Sequence, residues 1–325
     1  MVTQTGLKYD RNWMVVTPGG GSSGGDAPKY KMATQRQFPV LARVSCNFPE
    51  YEEGNENVLS VSYEQGEDEK VLQIPLEKKE EGNVGDLVTA CVWDWEGPCY
   101  DEGDEAGAFF SSLVGVECRL VRFIGKRATD EAFAPNSETA FSDGFPFLIA
   151  SEGEFFSSSN ILTLMRSHST ACLSSVQLIC FLCFVFSESL EKLNTAMDVD
   201  LPMNRFRANL VVSGCGGAFE EDTWTELEVC GDEGAKDAGT SSCLFELVKP
   251  CSRCTVTTVN QSTGKTEGRE PLKSLGQIHS GKTAGYGRKE WERVPFFGWN
   301  AICNESMVGK VIAMDSNVKV LGRKE

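Results

Sequence analysis

Histidine is almost absent: the 325 residues contain only two, His168 and His279. A Cys/His zinc centre, or a hydrolase that needs an oriented imidazole, therefore has little to draw on. No Gly-x-Ser-x-Gly elbow stands outside the linker-like Gly/Ser stretch 19–25, and that stretch lacks the Lys-Ser/Thr ending of a phosphate-binding loop. Positive charge is also short, with 31 Lys+Arg against 47 Asp+Glu and a formal net charge of −16. That balance argues against a nucleic-acid or anionic-membrane partner, and it makes any local group of arginines informative. The longest apolar stretch, Ser175 to Phe186, is about a dozen residues, short of the ~20 a membrane helix needs, so no membrane span is expected.

Cysteine, by contrast, is plentiful at 13 residues. The number is odd, the chain is not short, and no secretory signal precedes these residues, which opposes a disulfide framework. Cys46, Cys91, Cys118, Cys230 and Cys303 lie beside apolar or β-branched neighbours and read as buried reduced thiols. A reducing intracellular compartment, cytoplasmic or mitochondrial, is expected.

The pattern along the chain is mostly β. Strands are expected at Asn12 to Val16, Val40 to Val44, Val58 to Tyr63, Val71 to Pro75, along the run Leu87 to Trp95, and at Arg119 to Phe123. Ala106 to Val114, preceded by Asp101-Glu102-Gly103-Asp104-Glu105, reads as an amphipathic helix with acids at its N-terminus. The largely polar segment Gly125 to Ser137 is the best boundary, giving domains 1–127 and 128–325. Further strands are expected at Phe145 to Glu152, ending in a helix cap at Ser151, and at Arg205 to Gly214, Thr225 to Val229, Phe297 to Cys303 and Val308 to Leu321. Ser189 to Ala196 reads as a short helix, and Glu270-Pro271-Leu272 as part of a loop. Many short strands and few helices fit a barrel or sandwich in the second half.

Residues 153–187 break the pattern. They end in an apolar tract without a polar face. Gly153-Glu154-Phe155 can be encoded by codons containing a splice donor, and the tract into Ser187 by a translated pyrimidine run. The expectation is a retained intron, whose removal joins Ala150-Ser151-Glu152 to the helix beginning near Ser189.

The stretch with most chemical content is Lys249-Pro250-Cys251-Ser252-Arg253-Cys254, running into Thr255-Val256-Thr257-Thr258-Val259, which reads as a strand. A lone Cys-x-x-Cys is a weak signal. Zinc would need two more ligands, a thioredoxin-like pair would open a helix, and two structural cysteines remain an alternative. Arg11, Arg36, Arg205, Arg207 and Arg253 each sit at a strand edge or turn, and guanidinium forks suit phosphate and other multidentate anions. A soft thiolate with several arginines favours Cys254 as ligand to a soft metal carried on a phosphorylated organic cofactor, with Arg253 on an anion. His279 lies in a Gly/Ser/Lys loop with nothing in the sequence to orient it.

These stretches resemble a known family. Gly6-Leu7-x-x-Asp10-Arg11-x-Trp13, Thr34-Gln35-Arg36, Asn204-Arg205-Phe206-Arg207-x-Asn209, Glu221-Asp222-x-Trp224, Pro250-Cys251-Ser252-Arg253-Cys254 and Glu270-Pro271-Leu272 are similar, in order, to the MOSC family. Within that family they are most like the amidoxime-reducing components, and the resemblance covers nearly the whole chain outside 19–25, 153–187 and some acidic loops. It implies a mostly β fold with α+β elements, a MOSC β-barrel behind an N-terminal β-barrel domain. It implies a molybdenum–molybdopterin cofactor with Cys254 as the metal ligand and catalytic thiolate, and with Arg11, Arg36, Arg207, Asn209, Ser252 and Arg253 on the cofactor. The implied activity is two-electron removal of oxygen from N-hydroxylated compounds, amidoximes and hydroxylamines among them. Electrons would come from a separate b-type haem carrier and its flavin reductase. Pyridoxal phosphate binding is a family-level association only, and no desulfurase domain precedes the motif. The alternative within the family is a non-catalytic cofactor-binding or sulfur-carrier module. The family's opening strand, with Tyr-Pro-Val-Lys-Ser-x-x-Gly, is not found, so a strand upstream of residue 1 is expected. Ala208 stands where the family has proline.

Overall fold

The computed structural model describes residues 1–19, 29–48, 57–77, 87–151, 188–197, 199–231, 241–313 and 316–324. The expected insertion 153–187, with His168, Cys180 and Cys183, lies outside the described residues, as does the loop 19–25 beyond Gly19.

The first half comprises β1 (Val2–Thr3), β2 (Gly6–Leu7), β3 (Trp13–Pro18), β4 (Lys29–Met32), β5 (Ser45–Asn47), β6 (Val58–Gln65), β7 (Asp68–Pro75), β8 (Leu87–Val92), β9 (Trp95–Asp101), α1 (Asp104–Val114) and β10 (Arg119–Phe123). Five of these strands close a barrel in the order β10-β3-β4-β8-β9, and β5-β6-β7 form a separate sheet. Strand β3 shows why the two pack together. Met14 and Val16 point into the barrel with Val88, Ala90 and Val121, while Trp13 and Val15 join Leu59, Val61, Leu72 and Ile74 outside it. A strand apolar on both faces is what a sheet buried on both sides requires. Helix α1 completes that outer core with Ala106 and Phe110. It carries Asp104 and Glu105 in its first turn, where the helix dipole favours negative charge, and stops at Gly115 with φ 81°.

The second half comprises β11 (Phe147–Ser151), α2 (Glu188–Met197), β12 (Leu210–Val212), β13 (Trp224–Val229), β14 (Cys243–Ser252), β15 (Val259–Asn260), β16 (Lys265–Thr266), α3 (Leu272–Ile278), β17 (Phe296–Cys303) and β18 (Val318–Arg323). Six strands form one sheet, β12-β11-β17-β14-β13-β18, with β11 and β12 parallel. Phe147, Ile149, Leu227, Phe245 and Ala301 fill one face. Ala150, Leu193, Phe206, Leu275 and Phe297 fill the other, under α2 and α3. Among the described residues no helix is long and apolar enough to cross a membrane.

Several local expectations are corrected. Pro39–Arg43 is a 3-10 helix rather than a strand, with proline in its first turn, where its fixed φ is pre-set for a helical start. The run Leu87 to Trp95 is split by a two-residue turn into β8 and β9. Ser151 is not a helix cap: it ends β11, buried, and its hydroxyl donates to Glu221 Oε2 at 2.7 Å. Only Leu210–Val212 of the expected strand 205–214 is extended, because Met203–Arg205 is a 3-10 turn and Arg207 adopts φ 58°. Leu272 begins α3 rather than continuing a loop, and the last strand is Val318–Arg323, later and shorter than the expected Val308 to Leu321.

The run after Cys254 is also not a strand: Thr255–Thr258 form a 3-10 turn. Thr257 Oγ1 donates to Cys254 O at 2.9 Å and Thr258 Oγ1 to Thr255 O at 2.7 Å. These hydroxyl bonds give the backbone an alternative to a ladder and outweigh the β-branched preference.

Candidate functional site

Strand β14 runs Cys251 and Ser252 to the edge of a cleft between the two halves, and Arg253 and Cys254 follow immediately. Arg11, Arg36, Arg207, Ser252, Arg253 and Cys254 all line this cleft. Asn209 does not. It lies behind the wall, buried, with its Oδ1 accepting from Leu148 N at 2.7 Å and its Nδ2 donating to Asp10. Arg205 also leaves the site, pairing with Glu267 Oε2 at 2.6 Å.

Arg11 ties the halves together through a backbone carbonyl rather than a carboxylate, whereas Arg253 bonds within the second half. Arg11 donates from Nη2 to Arg207 O at 2.8 Å and from Nη1 to Ser142 Oγ at 3.4 Å. Arg253 donates from Nη2 to Phe206 O at 2.7 Å and from Nη1 to Cys251 Sγ at 3.0 Å. Its guanidinium also lies 5.6 Å over the Phe206 ring, which stacks on Phe297 at 4.0 Å. Arg11 and Arg207 both sit at positive φ, 53° and 58°, sparsely populated for such residues and a mark of functional sites. Arg36 is exposed at the mouth, 4.6 Å over the Trp93 ring, and the neighbouring Gln35 accepts from Gln261 Nε2 of the second half at 3.2 Å.

The cleft carries more positive charge than its carboxylates offset. Burial, reinforced by Arg11 and Arg253, pulls the Arg207 guanidinium down to about 10, against the pull of Asp143 and Asp10. Burial raises Asp10 to about 6, although Arg11, Arg207 and Asn209 all favour its ionised form. The buried Nε of Arg11 and of Arg253 make no hydrogen bond, and Asp10 Oδ2 is 3.8 Å from the former, beyond hydrogen-bonding range. Buried, unused guanidinium donors in an acidic chain fit a multidentate anion.

The two thiols differ. Burial raises the Cys251 thiol, opposed by Arg253, and its sulfur is occupied as an acceptor. Cys254 is a half-buried free cysteine whose carbonyl is fixed by Thr257, so its position is held by backbone while its thiol lines the cleft. Among the described residues no three His, Cys, Asp or Glu side chains gather to hold a metal ion. A metal bound at Cys254 would have to carry its other ligands, as a metal on an organic dithiolate does. The residues present fit such a group.

Parts of the site were not legible from sequence. The loop with Ser142 and Asp143 enters the lining because buried Arg127 donates to Ala140 O at 2.9 Å and to Asp143 O at 3.2 Å. Trp93 reaches the mouth from the far barrel hairpin. The expectation for His279 is corrected as well. It is buried, stacked on Phe219 at 3.7 Å, and bonded to Asp222 and Phe296.

Comparison with known proteins agrees with this geometry. Residues 1–117 match the MOSC N-terminal beta barrel domain, and residues 180–317 match the MOSC domain. The chain is a MOSC-domain protein. It is 29% identical over 279 residues to mitochondrial amidoxime reducing component 2 of Bos taurus, covering 84% of this chain and 62% of the relative. With mitochondrial amidoxime-reducing component 1 of Mus musculus it shares 28% over 284 residues, 84% of this chain and 63% of the relative. With component 2 of Macaca fascicularis it shares 39% over 182 residues, 54% of this chain and 40% of the relative. This MOSC-domain protein thus spans less than two thirds of the length of these relatives. The first match contains Arg11 and Arg36, and the second contains Arg207 and Ser252-Arg253-Cys254.

Proposed function

We propose that this chain binds a molybdenum–molybdopterin cofactor and reduces N-hydroxylated compounds. The observation that carries the proposal is the Cys254 thiol in a cleft beside the Arg11 and Arg253 guanidiniums, each of which keeps a buried Nε that makes no hydrogen bond. When bound, the cofactor supplies the two-electron chemistry of oxygen removal, in which an N–OH group, two electrons and two protons give N–H and water.

The chain's own residues hold, orient and shield. Cys254 is the metal ligand, fixed by the turn that follows it. Arg11, Arg207, Arg253 and Ser252 hold the anionic and polar edges, with Arg36 at the mouth. Asn209 is a positioning residue that fixes Asp10 and the Leu148 strand behind Arg207. Trp13, Phe110, Phe141 and Phe206 give the cleft apolar walls that limit water and strengthen the electrostatics within. Electrons would come from a separate b-type haem carrier and its flavin reductase, in a reducing intracellular compartment. The relatives' names, which say mitochondrial, support the mitochondrion.

The test is expression in a host that makes the eukaryotic-type cofactor, followed by molybdenum analysis and benzamidoxime reduction with a chemical donor. Stoichiometric molybdenum with turnover is expected. Molybdenum without turnover would instead favour a carrier module, and protein without molybdenum would remove the basis of both.

A further inference from the structure

One tryptophan lies in the turn that joins β8 to β9 and another follows it, and they are used differently. Trp95 packs against Phe123 and Phe141 with ring centroids at 5.7 and 6.5 Å, and its Nε1 donates to Lys126 O at 3.1 Å. Trp93 has none of these roles. It occupies the first central position of a two-residue hairpin turn, closed by the pair Val92 and Trp95, with φ 52°. That position favours glycine or asparagine, and a bulky side chain there is strained. Burial does not offset the strain, because Trp93 is 49% exposed. Local turn chemistry and core packing both argue for a different residue, and such a conflict points to function.

The indole lines the mouth of the cleft that holds Cys254. The Arg36 guanidinium lies 4.6 Å over the ring and fixes its orientation. The guanidinium covers one face, and much of the indole remains open at the entrance. We propose that Trp93 is a stacking platform that selects planar aromatic N-hydroxylated substrates over small aliphatic ones. This rests on the reductase reading of the cleft and assigns its substrate class. Stacking on an indole needs only a π-face, so the preference is for flat, delocalised compounds rather than for one hydrogen-bonding pattern.

The test compares Trp93→Asn and Trp93→Phe with the wild-type holoenzyme. Michaelis constants are measured for benzamidoxime and acetamidoxime, and benzamidoxime binding without donor is measured by equilibrium dialysis. In Trp93→Asn the KM for benzamidoxime rises about tenfold relative to that for acetamidoxime, the change appears in KM rather than kcat, and Trp93→Phe recovers most of it. Trp93→Asn also melts no lower than wild type, because asparagine suits the turn. Equal losses on both substrates, no change in either, or a large drop in melting temperature would each overturn the proposal. If the wild type binds benzamidoxime but does not reduce it, the reductase reading fails, and dialysis still decides the role of Trp93.

Discussion

Asp222 accepts three hydrogen bonds: from His279 Nε2 at 2.7 Å, from Tyr286 Oη at 2.8 Å and from Trp299 Nε1 at 2.8 Å. The other imidazole nitrogen, Nδ1, is 2.9 Å from Phe296 O. Both partners of the ring are acceptors, an arrangement that favours the doubly protonated imidazolium. Burial alone would lower its pKa, but the bonds to Asp222 and to Phe296 outweigh it and raise the value above the ordinary 6.5. A raised folded-state pKa stabilises fully below the unfolded value, and the contribution is lost as pH rises through the folded one. The melting temperature should therefore fall as pH rises above about 6.5, and His279→Gln should flatten that dependence. Asp222→Asn should cost about 3 kcal/mol, since removing one partner strands a buried charge. A wild-type melting temperature that climbs over the same range would contradict this. None of it was visible in the sequence, where the two partners lie 57 positions apart and the histidine sits among glycine, serine and lysine.

At the scale of elements, the alternating pattern located most strands well. Val58 to Tyr63 and Val71 to Pro75 lie inside β6 and β7, Arg119 to Phe123 is β10, and the acid-led helix is α1. The misses share a physical cause. Around Pro39, Arg207 and Thr257, a fixed φ, a positive φ and hydroxyl-to-carbonyl bonds override the β-branched or apolar signal. The join between β11 and α2 has a further consequence. Ser151 Oγ and Ser189 Oγ are 2.7 Å apart, so the described residues on either side of 153–187 already meet. Linking Glu152 directly to Glu188 spans that gap, since each extended residue reaches about 3.3–3.6 Å. A chain without 153–187 should fold, with Leu193 still buried under the sheet, and melt within about 3 °C of the full chain, a shift worth less than ~1 kcal/mol. Failure of this shortened chain to fold would show that the segment is part of the domain.

At the scale of the molecule, a chain of net charge −16 brings Arg11, Arg207 and Arg253 together at one cleft between two β domains. The sequence carried most of that site, because Arg11, Arg36, Arg207, Ser252, Arg253 and Cys254 belong to recognisable stretches. It did not show that Asn209 stands behind the wall, that Arg205 turns away to Glu267, or that Trp93 and Asp143 complete the lining. Those placements depend on how the barrel closes against the six-stranded sheet, which no local pattern encodes. At this site the metal is expected on Cys254 and not on Cys251. The direct measurement is molybdenum per chain, with benzamidoxime turnover, in Cys254→Ala and Cys251→Ala made in the same host. Cys254→Ala should lose turnover and most of its molybdenum while Cys251→Ala keeps much of both; the reverse pattern would place the metal on Cys251.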